Sequence, residues 1–127
     1  MLKQYIMFDF LFLATAIVLL SIDFVYLRVM KHYFDGQINR VQGSPIQMNY
    51  LGAALCYVFL IIGLYYFVVK PRRSTSDAFL LGIVIYGVYE TTNYALFSKW
   101  SILTVLIDTV WGGLLFAATN YLVNGLR

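Results

Sequence analysis

Three carboxylates, Asp23, Glu90 and Asp108, stand inside otherwise apolar stretches of this 127-residue chain. An ionisable side chain in hydrocarbon is costly and turns toward protein or a wet cavity, which makes it a functional candidate by default. Carboxylates at that depth can hold a proton, bind a cation or act as acid and base. Asn49, Tyr57, Tyr86, Asn93 and Trp111 add hydrogen-bonding groups to the same stretches. Helical spacing groups them: Gly82, Tyr86, Glu90, Asn93 and Phe97 share one face, and Thr104, Asp108, Trp111 and Thr119 share another. Asp23 shares a face with Tyr26, and Asn49 with Ala53 and Tyr57. The spacing predicts one polar intramembrane site built from Asp23, Asn49, Tyr57, Tyr86, Glu90, Asn93, Asp108 and Trp111.

The elements that must position these residues follow from composition. The chain is 61% hydrophobic and only 12% charged, against about 25% charged residues in ordinary soluble domains. Its mean hydropathy is +0.77. The pattern predicts an all-α integral membrane four-helix bundle, one domain over 1–127, with helices at about 7–30, 48–69, 77–97 and 101–123. Each is roughly 20 residues or more, enough to cross about 30 Å of hydrocarbon. The first run lacks the cleavage pattern of a signal peptide and reads as a retained helix.

Punctuation supports these bounds. Lys31–Gln47 carries Asp35-Gly36, Asn39-Arg40 and Gly43-Ser44-Pro45, turn-forming combinations that predict a polar connection. Lys70-Pro71-Arg72-Arg73 ends the second helix with headgroup anchors. Ser74–Asp77 offers caps for the third, Ser98-Lys99-Trp100 makes a tight turn, and Asn124-Gly125 closes the fourth.

Four crossings put both termini on one side, with Lys3, Lys70, Arg72, Arg73 and Arg127; the other side holds Arg28, Lys31, Arg40 and Lys99. The dense second-loop cluster tips the termini toward the cytoplasm. Alternating helix direction then sets Asp23, Asn49, Glu90 and Asp108 in the same bilayer half. The third helix has nine strongly apolar residues, which return roughly 3 to 5 kcal/mol on insertion scales, and Glu90 with Asn93 largely cancels that. Alone it is marginal; it needs neighbours.

Other chemistries lack their residues. There is no phosphate loop, dinucleotide fingerprint or paired Cys/His spacing, so neither a cofactor nor a metal is expected. His32 is the single histidine and reads as a solvated loop residue. Cys56, the single cysteine, reads as a small buried hydrophobe. Tyr50, Tyr65, Tyr66, Trp100 and Tyr121 read as an interfacial belt. No basic stripe suits nucleic acid. The expected partners are membrane lipids and either a second copy of the chain or another membrane protein.

The chain resembles, over nearly its whole length, a family of small four-helix membrane proteins catalogued as domain of unknown function 2177. The likeness rests on Asp23; on Asn49 with Ala53-Ala54, Tyr57 and Gly63; and on Phe67-Val68-Val69 before Pro71. It continues through Gly82, Tyr86, Tyr89-Glu90-Thr91-Thr92-Asn93 and Trp100 to Asp108 with Trp111-Gly112. Two positions depart from the pattern: Glu90 where the family usually has Asp, and Tyr26 where it usually has Trp. The resemblance implies a four-helix integral membrane protein and no particular reaction. Relatives occur in bacteria and in some large DNA viruses, which adds a virion membrane to the locations it implies.

The leading expectation is a multi-pass membrane protein with a structural or accessory role, its acids forming a hydrogen-bonded layer that holds the helices in register. The alternative is a proton- or cation-coupled transporter or channel. An intramembrane lipid-modifying enzyme ranks last, because no nucleophile or cofactor motif accompanies the acids.

Overall fold

Helix α1 runs unbroken from Leu2 to Gln42 in the computed structural model, which describes residues 1–127. Its 41 residues give about 60 Å of helix, twice the thickness of the hydrocarbon. The polar connection expected over 31–47 is therefore corrected. Its first twelve residues continue the helix, and the break comes at Gly43, which takes the left-handed conformation (φ 74°) that glycine adopts without penalty. Local turn propensity at Asp35-Gly36 loses to tertiary contact. Gln37 is fully buried against the turn between the last two helices, and Lys31 pairs with Asp35 one turn along the exposed side.

Helix α2 spans Tyr50–Leu64 and passes into a π-helical turn, Tyr65–Val69. Arg72 then adopts a positive φ of 61°, and its N–H and that of Arg73 close on the carbonyls of Val69 and Val68. Helix α3 spans Thr75–Leu96 and α4 spans Ile102–Asn124. Ser74 caps α3 by accepting from the Asp77 N–H, and Ser101 caps α4 by accepting from the Leu103 N–H.

The helices run up and down. Phe8, Tyr65–Lys70 and Arg127 meet at one end, where Arg127 donates to the Val69 carbonyl (2.7 Å) and Lys70 sits over the Phe8 ring (5.5 Å). Gln37, Lys99 and Ser101 meet at the other. Both termini thus lie at one end of the bundle. Leu11, Leu19, Leu64, Val69, Leu115, Phe116 and Val123 form the buried apolar core. Much of the remaining apolar surface faces outward along the helices, as a lipid-facing surface does.

α1, α2 with its π-helical turn, and α4 are each long and apolar enough to cross a membrane. α3 is the exception, in keeping with its marginal insertion energy. It is carried instead by the most extensive helix contact in the molecule, along α4. That contact depends on absent side chains: a Cβ at Gly82 would lie 2.1 Å from the Gly112 carbonyl oxygen. Small residues at such a crossing let two backbones touch.

Candidate functional site

Glu90, Asp23 and Asp108 are 1%, 4% and 8% exposed, and none is paired with a cation. The molecule's two ion pairs, Lys31–Asp35 and Arg73–Asp77, lie on the surface. Buried carboxylates without a cation must be held by neutral donors. Those donors are here aromatic.

Asp23 of α1 accepts from the Trp111 indole N–H of α4 at 2.8 Å and from the Tyr57 hydroxyl of α2. One carboxylate therefore ties three helices. Asp108 of α4 accepts from the Tyr26 hydroxyl of α1 at 3.2 Å. Tyr26 also lies flat against Trp111, with ring centroids 4.2 Å apart and planes 11° from parallel. The two acids are thus joined through a stacked pair of rings, each donating to the acid on the other ring's helix. Glu90 of α3 accepts from the Trp100 indole N–H at 2.9 Å, and its carboxyl lies within hydrogen-bonding reach of Asp108.

A second polar cluster lies beside the first, toward the α3–α4 turn. Gln37 donates to the Lys99 carbonyl (3.0 Å) and accepts from the Ser101 N–H (3.0 Å) and the Thr104 hydroxyl (2.6 Å). Tyr33 closes on Thr104 at 2.8 Å. This cluster fastens the end of α1 to the turn that carries Trp100.

The eight residues predicted for the site divide. Asp23, Tyr57 and Trp111 share one set of bonds, and Glu90 and Asp108 share another contact. Tyr86 packs its ring over Gly112, where an added Cβ would meet it at 2.3 Å. Asn93 is half-buried one turn beyond Glu90 and takes no part in the bonds to the acids. Asn49 lies outside the layer: it is the exposed N-cap of α2 and accepts from the Gly52 N–H at 3.0 Å. The reason is position, since an Asn at the first helical boundary satisfies an orphan amide before it can reach a core.

Three further expectations change. Trp100 leaves the interfacial belt, being buried with its N–H on Glu90. Cys56 faces outward from α2, not into the core. His32 is solvent-facing on a helix instead of a loop. Tyr26, Tyr33, Gln37, Thr104 and Trp100 are the polar partners missing from the sequence-derived site.

The arrangement can hold a proton. Two carboxyl groups in contact attract only when one of them carries hydrogen, so the Glu90–Asp108 contact is a place for a shared proton. No three His, Cys, Asp or Glu side chains converge closely enough to hold a metal ion.

A family model described as a predicted membrane protein family, DUF2177, matches residues 8–123. No curated protein and no solved structure matches the chain. Tyr26 and Glu90 both reach the same partner, Asp108.

Proposed function

This chain belongs to the predicted membrane protein family DUF2177, and from that premise we propose that it is a four-crossing structural or accessory component of its membrane. α3 crosses as the partner of α4, and the buried acids serve to fix how the four helices pack. The observation that carries this reading is Asp23, whose two oxygens are taken by donors from α2 and α4. A carboxylate so occupied offers little to a passing ion. Intramembrane hydrogen bonds contribute only about 0.6 to 2 kcal/mol each, but their geometry selects one packing over its neighbours.

The test is a comparison in reconstituted vesicles. Asp23→Asn and Trp111→Phe should lower the thermal stability of the bundle, while the unmodified protein passes no protons or cations. Measurable flux through the unmodified protein would overturn the structural reading.

One observation favours a second reading, a proton-coupled transporter: the Glu90–Asp108 carboxyl contact. Under that reading Glu90→Gln abolishes proton-linked flux and leaves the fold intact.

A further inference from the structure

One recess lies away from the three acids. It is an open groove of about 900 Å³ between the upper part of α1 and the irregular segment Gly43–Asn49 that leads back into α2. Phe24 and Leu27 line it from α1, and Ile46 and Met48 line it from the connecting segment. Arg28, Lys31 and His32 line it further along α1. Along α1 the lining therefore passes from apolar residues to basic ones within two turns.

Depth gives that division a meaning. Phe8 lies beside Lys70 at the terminal end of the bundle. Roughly twenty residues of helix, about 30 Å, separate it from Arg28, which is one thickness of hydrocarbon. Phe24 and Leu27 then lie at the last acyl carbons of the leaflet opposite the termini, and Arg28, Lys31 and His32 at its phosphates. We propose that this groove binds one anionic phospholipid, its phosphate held by Arg28, Lys31 and His32 and its upper acyl chain laid against Phe24, Leu27, Ile46 and Met48.

Charge complementarity points to an anionic headgroup. Arg28 is in no ion pair; its guanidinium stands 5.8 Å over the Phe24 ring, above the apolar wall, with its donors free. Lys31 is shared with Asp35, the only acid on the groove, at 2.5 Å and with most of its side chain exposed. Two fixed cations and an imidazole against one carboxylate leave the basic part of the lining in need of an anion. The far wall is built to keep its shape: Gln42 donates to the carbonyls of Ser44 and Pro45 (3.1 and 2.7 Å), and Asn49 caps α2.

The test uses the full chain in nanodiscs of equal phosphatidylglycerol and phosphatidylcholine, followed by native mass spectrometry of the lipid that stays bound. The unmodified protein should retain phosphatidylglycerol in preference. Arg28→Gln combined with Lys31→Gln should weaken that preference by about fivefold for each cation removed. Lys3→Gln and Arg73→Gln, at the other end of the bundle, should leave it unchanged. Met48→Glu, in the irregular segment and outside every helix, should give the same loss without touching a basic residue, and Arg28→Lys with Lys31→Arg should restore the preference. Equal retention of the two lipids by the unmodified protein overturns the proposal. So does an undiminished preference in the double variant, or firm binding of inorganic phosphate alone by the delipidated protein, which would mark a site for a free anion.

Discussion

Trp111 and Asp23, 88 positions apart in sequence, are joined by an indole N–H to carboxylate bond of 2.8 Å. The bond spans α4 and α1 at the level where Tyr26 stacks on the same indole. Trp111→Phe keeps an aromatic face for Tyr26 while removing the donor and part of the ring volume. It should destabilise the protein by about 1 to 2 kcal/mol, the range for a hydrogen bond between membrane helices. Denaturant unfolding in a fixed detergent reads the difference; an unchanged midpoint would show that the indole N–H contributes nothing.

The α3–α4 crossing should be intolerant of a single methyl group. At Gly82 the new Cβ would meet backbone, Gly112 oxygen at 2.1 Å and carbon at 2.6 Å, and backbone cannot step aside. At Gly63 the nearest atom is the end of the Ile85 side chain at 3.9 Å. Gly82→Ala should therefore cost about 3 kcal/mol or more by forcing the helices apart, and Gly63→Ala should stay within about 0.5 kcal/mol. Thermal unfolding of the two variants side by side tests the contrast.

Acid should loosen the start of α3. The Arg73 side chain donates to the Asp77 carboxylate at 2.8 Å and holds it below the usual carboxylate range, with the Ser74 cap adding to the effect. A depressed folded value means that this support is complete above the unfolded carboxylate range near pH 4 and is lost as pH falls through the folded value. The group lies at the surface, so the effect is local fraying and not unfolding. Hydrogen exchange of the first-turn amides of α3 should quicken below about pH 4. Asp77→Asn should remove that dependence.

Cys56 offers a direct test of which side of α2 meets lipid. It is the only cysteine, and it faces outward. A nitroxide attached there should be relaxed strongly by dissolved oxygen and weakly by a water-soluble nickel chelate. The reverse would mean that this face of α2 lines water. Cys56→Ser should leave stability within about 0.5 kcal/mol.

How much of this was legible depended on whether a residue broke its surroundings. Asp23, Glu90 and Asp108 stand out because each interrupts an apolar run, and alternating helix direction predicts a common depth for them. Trp100 did not stand out, since a tryptophan after Ser98-Lys99 has the look of an interfacial anchor. Only the fold-back of the turn carries its N–H to Glu90, ten positions earlier. Cys56 illustrates a different loss: apart from Tyr57, the interior of α2 is almost uniformly apolar, so composition around Cys56 does not say that it faces outward. The upper part of α1 was obscured by its own turn-forming pairs, which a single buried glutamine, Gln37, overrides through the α3–α4 turn. Asn49 carried a readable signal, a capping residue shortly after Pro45, that competed with its place on a polar face.

The unbroken run of α1 has a mechanical consequence. A rod twice as long as the slab it crosses converts a small change of tilt inside the bilayer into a larger sideways sweep at its far end. Because Gln37 is bolted to the α3–α4 turn, that sweep is shared by the turn and by Trp100 within it. A change of tilt in α1 is thus transmitted to the indole partner of Glu90.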